Sequence, residues 1–207
     1  MSTVNPSKSL RDVFGLDNRP PRLADSALVL IDYQNTYRTG VMELHGADEA
    51  LAAGARLLAR ARAAGIPIVH VINDGGENTP YDIRAHIGSI SDEVAPLDGE
   101  PVIVKTFPDS FRDTDLEKTL TGLGFAPGGD KDLVLAGFMT HMCVAFTAQG
   151  AVNHGYRPTV VAEATATRAL TAPDGTVVSA QALGAAALTT ITDRFGPVVR
   201  TVEDLPA

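Results

Sequence analysis

Six short apolar runs, rich in Val, Ile, Leu and Ala, recur along the chain at residues 27–31, 67–72, 101–104, 133–136, 159–162 and 197–202. Their hydrophobicity is continuous rather than alternating, which suits strands buried on both faces of a sheet. Helix-like stretches separate most of them. Residues 50–64 place Leu51, Ala55, Leu58 and Arg62 at helical spacing, and Gly65 supplies the stop. Thr114-Asp115-Leu116-Glu117 reads as a capping box that opens a short helix. Residues 142–153 and 179–193 predict two more helices. Strands alternating with helices imply an α/β fold, a parallel sheet covered on both faces with right-handed crossovers. Residues 73–99 break the alternation. With Gly75-Gly76, Thr79-Pro80 and Gly88 they read as a long functional loop or lid. Residues 1–22, ending in Pro20-Pro21, read as an N-terminal arm, flexible or packed on a neighbour. Residues 23–207 are left as one domain.

Composition narrows the class. A chain of 207 residues with 44% hydrophobic and 20% charged residues is long enough to bury a substantial core and has the balance of a soluble globular protein. A net charge of -8 argues against nucleic acid or anionic membranes as partners through a general basic field. The start of the chain lacks the apolar core of a signal peptide, and no apolar run is long enough for a membrane span. A single cysteine excludes an intramolecular disulfide framework and points to a reducing, cytoplasmic setting.

That cysteine, Cys143, lies in Gly137-Phe138-Met139-Thr140-His141-Met142-Cys143-Val144, between the run 133–136 and a predicted helix. A strand-to-helix turn gathers unpaired N–H groups and the positive end of a helix dipole, which favour thiolate over thiol. Ligands of parallel α/β sheets bind beyond the carboxyl ends of strands. The first run ends at Asp32 and the third at Lys105, so an acid, an amine and a thiol emerge on one edge. They suit nucleophilic acyl transfer, with Asp32 as general base. Lys105 stabilises negative charge on thiol and carboxylate. Taken singly, Asp32 and Lys105 also fit a structural ion pair, and Cys143 a small buried apolar residue.

Asp32-x-Gln34-Asn35, Lys105 after a Val-rich strand, and Gly137-x-x-Thr140-x-x-Cys143-Val144 together resemble the isochorismatase-like cysteine hydrolases, a superfamily that includes nicotinamidases and other amidohydrolases. The resemblance runs from about Asp25 to Val202. It implies a three-layer α/β/α, Rossmann-like fold around a mostly parallel six-stranded sheet, usually in a homo-oligomer. It also implies a catalytic triad of Asp32, Lys105 and Cys143, an oxyanion hole from the Met139 and Cys143 amides, and a cis peptide at Phe138–Met139. The implied reaction is hydrolysis of a C–N bond in a small amide, ureido or carbamoyl substrate through a thioester, with no cofactor.

The nicotinamidases carry a metal-binding Asp-x-His element after the second strand. Here Asp74 is followed two places on by Gly76, so no metal is expected. Isochorismatases proper hydrolyse a vinyl ether without needing a cysteine nucleophile, which leaves that reaction as an alternative. A catalytically idle binding or scaffold member is a second alternative. The substrate is not legible. Tyr33, Gln34, Asn35, Tyr37, Phe111, Thr140 and His141 are the candidate pocket residues. Phe107 is a further candidate wall, and Arg84 and Arg168 either meet a substrate carboxylate or form surface salt bridges.

Overall fold

The computed structural model describes residues 6–128 and 131–207. The apolar runs become β1 (Ser26–Ile31), β2 (Ile68–Asn73), β3 (Val102–Lys105), β4 (Asp132–Phe138) and β5 (Arg157–Ala166). A small hairpin of β6 (Leu170–Thr171) and β7 (Val177–Val178) precedes the last strand, β8 (Val198–Val199). The main sheet has the order β3-β2-β1-β4-β5-β8, and every pairing is parallel. The helices are α1 (Leu10–Val13), α2 (Ala47–Ala64), α3 (Leu116–Gly122), α4 (Ala145–Asn153) and α5 (Ala180–Thr190).

Every residue of β1 is buried, as its unbroken apolar run predicts. Leu28 and Leu30 enter the core that Leu51, Leu57 and Leu58 of α2 complete. Ala27, Val29 and Ile31 enter the opposite core, with Leu116 and Leu120 of α3 and Ala148 of α4. One strand thus supplies two cores, because successive side chains point to opposite faces. The result is the three-layer α/β/α sandwich. The chain builds outward from β1 through β2 to β3, then returns to lay β4 on the other side of β1. The carboxyl ends of β1 and β4 therefore flank the point where strand order reverses, the place where such sheets open a crevice.

Several local expectations are corrected. The capping box at Thr114–Glu117 does not form. Asp115 is the N-cap without a side-chain cap bond, and Thr114 Oγ1 instead donates to Ser110 O at 2.6 Å. β3 is an edge strand, so Val102 and Val104 on one face are exposed while Ile103 and Lys105 are buried. The last run shortens to β8 because Glu163 takes over its pairing: Glu163 N donates to Arg200 O at 3.0 Å and Val202 N donates to Glu163 Oε1 at 2.6 Å. The helix expected from residue 142 begins with a π-turn, Thr140–Val144. From residue 6 the arm packs on its own chain. Ser9 and Asp12 cap α1 reciprocally, Leu10 N donates to Asp193 Oδ1 at 2.8 Å, and the buried Arg11 reaches Phe195 O at 3.3 Å. Residues 1–5 of that arm lie outside the described residues. Among the described residues, no helix is long and apolar enough to cross a membrane.

Glu100 ties the far edge of the sheet to α2. Its carboxylate accepts from Arg62 Nε and Nη2, both at 2.8 Å, from Leu97 N at 3.0 Å, and from His70 Nε2 at 2.9 Å. The Arg62 hydrogen bond is the largest influence on Glu100 and, with the other donors, holds its pKa at about 2. Burial lowers the His70 pKa, so its ring donates as a neutral imidazole. Both shifts act in one direction. The unfolded chain binds more protons than the folded one below the ordinary pKa of each group, so stability falls as pH falls. Glu100→Gln is expected to cost about 2 kcal/mol at neutral pH. It should also flatten the acid limb of urea-measured stability between the ordinary glutamate range and about pH 2.

Candidate active site

β1 delivers Asp32 to the crevice through a turn that few residues tolerate. Its φ is +53°, left-handed space that aspartate enters more readily than most. Asp32 N still donates to Val71 O at 2.9 Å, so the turn begins while the strand ladder is intact. On β4, Gly137 has φ +130°, and a Cβ there would lie 1.9 Å from Ile31 O. The chain needs glycine here to bring the turn that carries Cys143 against the end of β1. Gly137→Ala is expected to cost more than about 3 kcal/mol, read as a loss of folded protein in urea titration.

The three sequence-predicted residues meet. Lys105 Nζ lies 2.7 Å from Asp32 Oδ2 and 3.3 Å from Cys143 Sγ. Asp32 and Lys105 side chains are fully shielded from solvent, and Cys143 is 6% exposed. At 2.7 Å the ion pair is close, and Lys105 and Cys143 both act on Asp32 as hydrogen-bonding neighbours. That carboxylate is a buried base beside both groups.

The electrostatics correct one expectation. Burial, reinforced by the negative charge of Asp32, raises the Cys143 thiol above its ordinary pKa, and the opposing pull of Lys105 does not offset it. Both effects favour the thiol over the thiolate at rest. Burial also raises Asp32, against Lys105. Burial pulls Lys105 down most, but its neighbours at the site, Asp32 first, outweigh that and raise it, so the ammonium stays protonated. The turn carries the cis Phe138–Met139 peptide that the resemblance implies. The Met139 and Cys143 amides frame the same turn, whose closing bond runs from Val144 N to Met139 O at 3.2 Å.

Several candidate pocket residues turn out to hold the scaffold. Tyr33 packs into the α2 layer, its hydroxyl donating to Ala164 O at 2.6 Å. Gln34 Nε2 donates to Asn73 O at 2.9 Å and Gly88 O at 2.7 Å, and its Oε1 accepts from Asn73 N at 3.0 Å. Asn35 Nδ2 donates to His86 O at 3.0 Å and Ser89 Oγ at 3.1 Å, while its Oδ1 accepts from Ser91 Oγ at 2.9 Å. Gln34 and Asn35 thus spend their amides clamping residues 86–91, which a short polar sequence cannot reveal in advance. Phe111 lies in the core on the α4 side, stacked on His154 and Tyr156. Phe107 lies under the Arg112 guanidinium at 3.8 Å. Arg84 forms ion pairs with Asp74 and Asp82.

Others do reach the site. Tyr37 is buried and feels the charges of Asp32 and Cys143. Thr140 is buried in the turn that carries Cys143. His141 is half-buried, bonded through Nδ1 to Thr167 Oγ1, with its pKa lowered by burial and then by Arg168. Tyr81 was not anticipated. It packs edge-on against Tyr37 at 5.7 Å and feels Cys143, Asp32 and Arg168. Its only sequence signal was its place in the irregular segment 73–99. A cavity of about 780 Å³ lies elsewhere, at the opposite ends of the strands, between the arm and residues such as Asp132, Arg157 and Pro197. It does not include the triad.

A parallel sheet with a buried acid, amine and thiol at its reversal point has the makings of a hydrolytic site. A profile of the isochorismatase domain matches residues 26–201, and the chain belongs to the isochorismatase family. A solved isochorismatase structure from Pseudomonas putida superposes with a TM-score of 0.89 and 36% identity, covering 97% of this chain and 100% of that one. The secreted isochorismatase effector of Verticillium dahliae is 33% identical over 92% of this chain and 96% of its own length. A maleamate amidohydrolase of Pseudomonas putida is 32% identical over 66% of this chain and 70% of its own length. The chain is an isochorismatase-family hydrolase whose homologues include amidohydrolases.

Proposed function

We propose that the protein hydrolyses a C–N bond of a small amide, ureido or carbamoyl substrate through a Cys143 thioester. The observation that carries this reading is the buried contact of Lys105 with both Asp32 and Cys143. The amidohydrolase relative supports the same bond type.

For a simple amide, Cys143 Sγ attacks the carbonyl carbon as its proton passes to Asp32. Lys105 stays protonated and stabilises the developing negative charge on sulfur and carboxylate. The Met139 and Cys143 amides receive the oxyanion, a role worth about 3 kcal/mol per donor in acyl transfer. The tetrahedral species collapses with transfer of the Asp32 proton to the leaving nitrogen, and ammonia or an amine departs. Asp32 then takes a proton from water as it attacks the thioester. The second collapse frees a carboxylic acid, and the proton returns to sulfur. A neutral resting thiol suits this scheme, because one proton transfer then generates both the nucleophile and the acid that later protonates the leaving nitrogen. A reducing cytoplasmic setting suits the unpaired thiol.

Ammonia release from a panel of primary amides, ureido acids and carbamoyl compounds tests the reading, with isochorismate consumption followed separately. Turnover of at least one amide is expected. Silence on all of them with isochorismate consumed would overturn it in favour of vinyl-ether hydrolysis. Asp74 is held by Arg84 at 3.1 Å, and Gly76 stands where a histidine ligand is needed. Dialysis against a chelator is therefore expected to leave turnover within about twofold of the untreated enzyme. A loss restored by zinc would contradict the metal-independent scheme.

A further inference from the structure

The cavity of about 780 Å³ is closed from two sides. The arm contributes Arg11, Phe14 and Leu16, and the domain contributes Tyr156, Arg194 and Phe195. Its volume is ordinary for a small-molecule site. It lies at the end of the sheet away from the reaction crevice. Asp132, on its wall, opens β4, and the other end of β4 leads into the turn that carries Cys143.

Its charge runs against that of the chain. Four arginines and two aspartates line it, although the net charge of the protein is -8. Asp17 is taken by Arg19 at 2.7 Å, and Asp132 by Arg157 at 2.6 Å. Arg11 and Arg194 remain, and neither makes an ion pair among the described residues. Arg11 is buried, and neutral oxygens are its acceptors. Its Nε donates to Asn18 Oδ1 at 2.8 Å, its Nη1 to Phe195 O at 3.3 Å, and its Nη2 to Asp17 O. Burial and then the charge of Arg194 lower its pKa, against the pull of Asp17 and Asp12. A buried cation beside a second cation, with no counter-charge bonded to either, is costly. The three bonds also fix the guanidinium in place while each Nη keeps a second N–H. An entering anion would meet one fixed cation, an exposed second one, and apolar walls for its body. The aspartates on the wall repel a multiply charged guest more than a singly charged one.

We propose that this cavity is a second binding site, separate from the triad, for a small monocarboxylate with an apolar body whose carboxylate pairs with Arg11 and Arg194. Guanidinium groups match a carboxylate with parallel hydrogen bonds. Arg11 belongs to the arm and Arg194 to the domain, so a bound carboxylate ties one to the other. The site stands whether or not the protein hydrolyses amides.

The test titrates 4-phenylbutyrate and 4-phenylbutanol, which share an apolar body and differ in charge, into the protein by calorimetry. The acid is expected to saturate one site with a Kd of about 1 mM or tighter, and the alcohol to bind at least about tenfold more weakly. Arg194 is exposed and makes no ion pair among the described residues, so Arg194→Gln should leave the urea midpoint unmoved. It should weaken the acid about tenfold, the worth of a charged hydrogen bond, and leave the alcohol as it was. Binding of the acid should persist after Cys143 is alkylated with iodoacetamide, and it should slow amide hydrogen exchange across residues 10–16. Equal affinity for acid and alcohol, or an affinity unmoved by Arg194→Gln, would overturn the proposal. So would binding lost on alkylation, which would put the guest in the reaction crevice, or an arm that exchanges no more slowly when the acid is bound. Absence of saturable binding would overturn it outright.

Discussion

Cys143→Ala is expected to lower amide turnover by about 10⁵- to 10⁶-fold, the loss seen when a covalent nucleophile is removed from a unit that works together. The fold should survive. The side chain is small and buried among apolar neighbours such as Val144 and Ile31, so the truncation costs about 1 kcal/mol. Circular dichroism and the urea midpoint separate a dead enzyme from an unfolded one. Because the resting thiol is pushed above its ordinary range by burial and by Asp32, alkylation of wild type should be slow near neutral pH and accelerate only well above it. Fast alkylation at pH 7 without substrate would show that the thiolate is already formed, and the concerted role given to Asp32 would fall.

Lys105→Met is the second large effect, and it acts on stability and chemistry together. Removing the ammonium leaves the Asp32 carboxylate buried and unpaired, which costs about 3–5 kcal/mol. The site relieves part of that cost by protonating Asp32, whose pKa burial already raises. The sign of the linkage is then fixed. A carboxyl whose folded pKa is raised binds its proton more tightly in the folded state, so the variant should gain stability as pH falls through that raised value. Activity should move the opposite way, since a protonated Asp32 cannot accept the thiol proton. Asp32→Asn in the same chain removes the orphaned charge and should recover much of the lost stability with no recovery of turnover. That pattern distinguishes a coupled catalytic pair from two independent structural residues.

The frame was legible because its code is local. An uninterrupted apolar run can be buried only between two layers, and β1 and β4 are just that. Asp32 and Lys105 were legible because each ends such a run, and Cys143 because it lies in the turn after one; a parallel sheet collects strand ends on one edge. What the sequence hid depends on contacts distant along the chain. Gln34 and Asn35 look like pocket donors, but their partners lie some fifty residues on, at Gly88, Ser89 and Ser91. Thr114 looks like the first residue of a capping box, yet its hydroxyl accepts from Leu116 N and donates backward to Ser110 O. The upward push on the Cys143 thiol was hidden because a helix terminus and a lysine are visible in sequence, whereas desolvation is not. Tyr81 meets Tyr37 only once the segment 73–99 folds back.

The central claim, that sulfur of Cys143 carries the acyl group, is tested most directly by rapid acid quench during turnover of an amide substrate, followed by peptide mass spectrometry. An acyl adduct is expected on the peptide containing Cys143, appearing before the acid product and absent from Cys143→Ala. Turnover without such an adduct, undiminished in Cys143→Ala, would contradict the account.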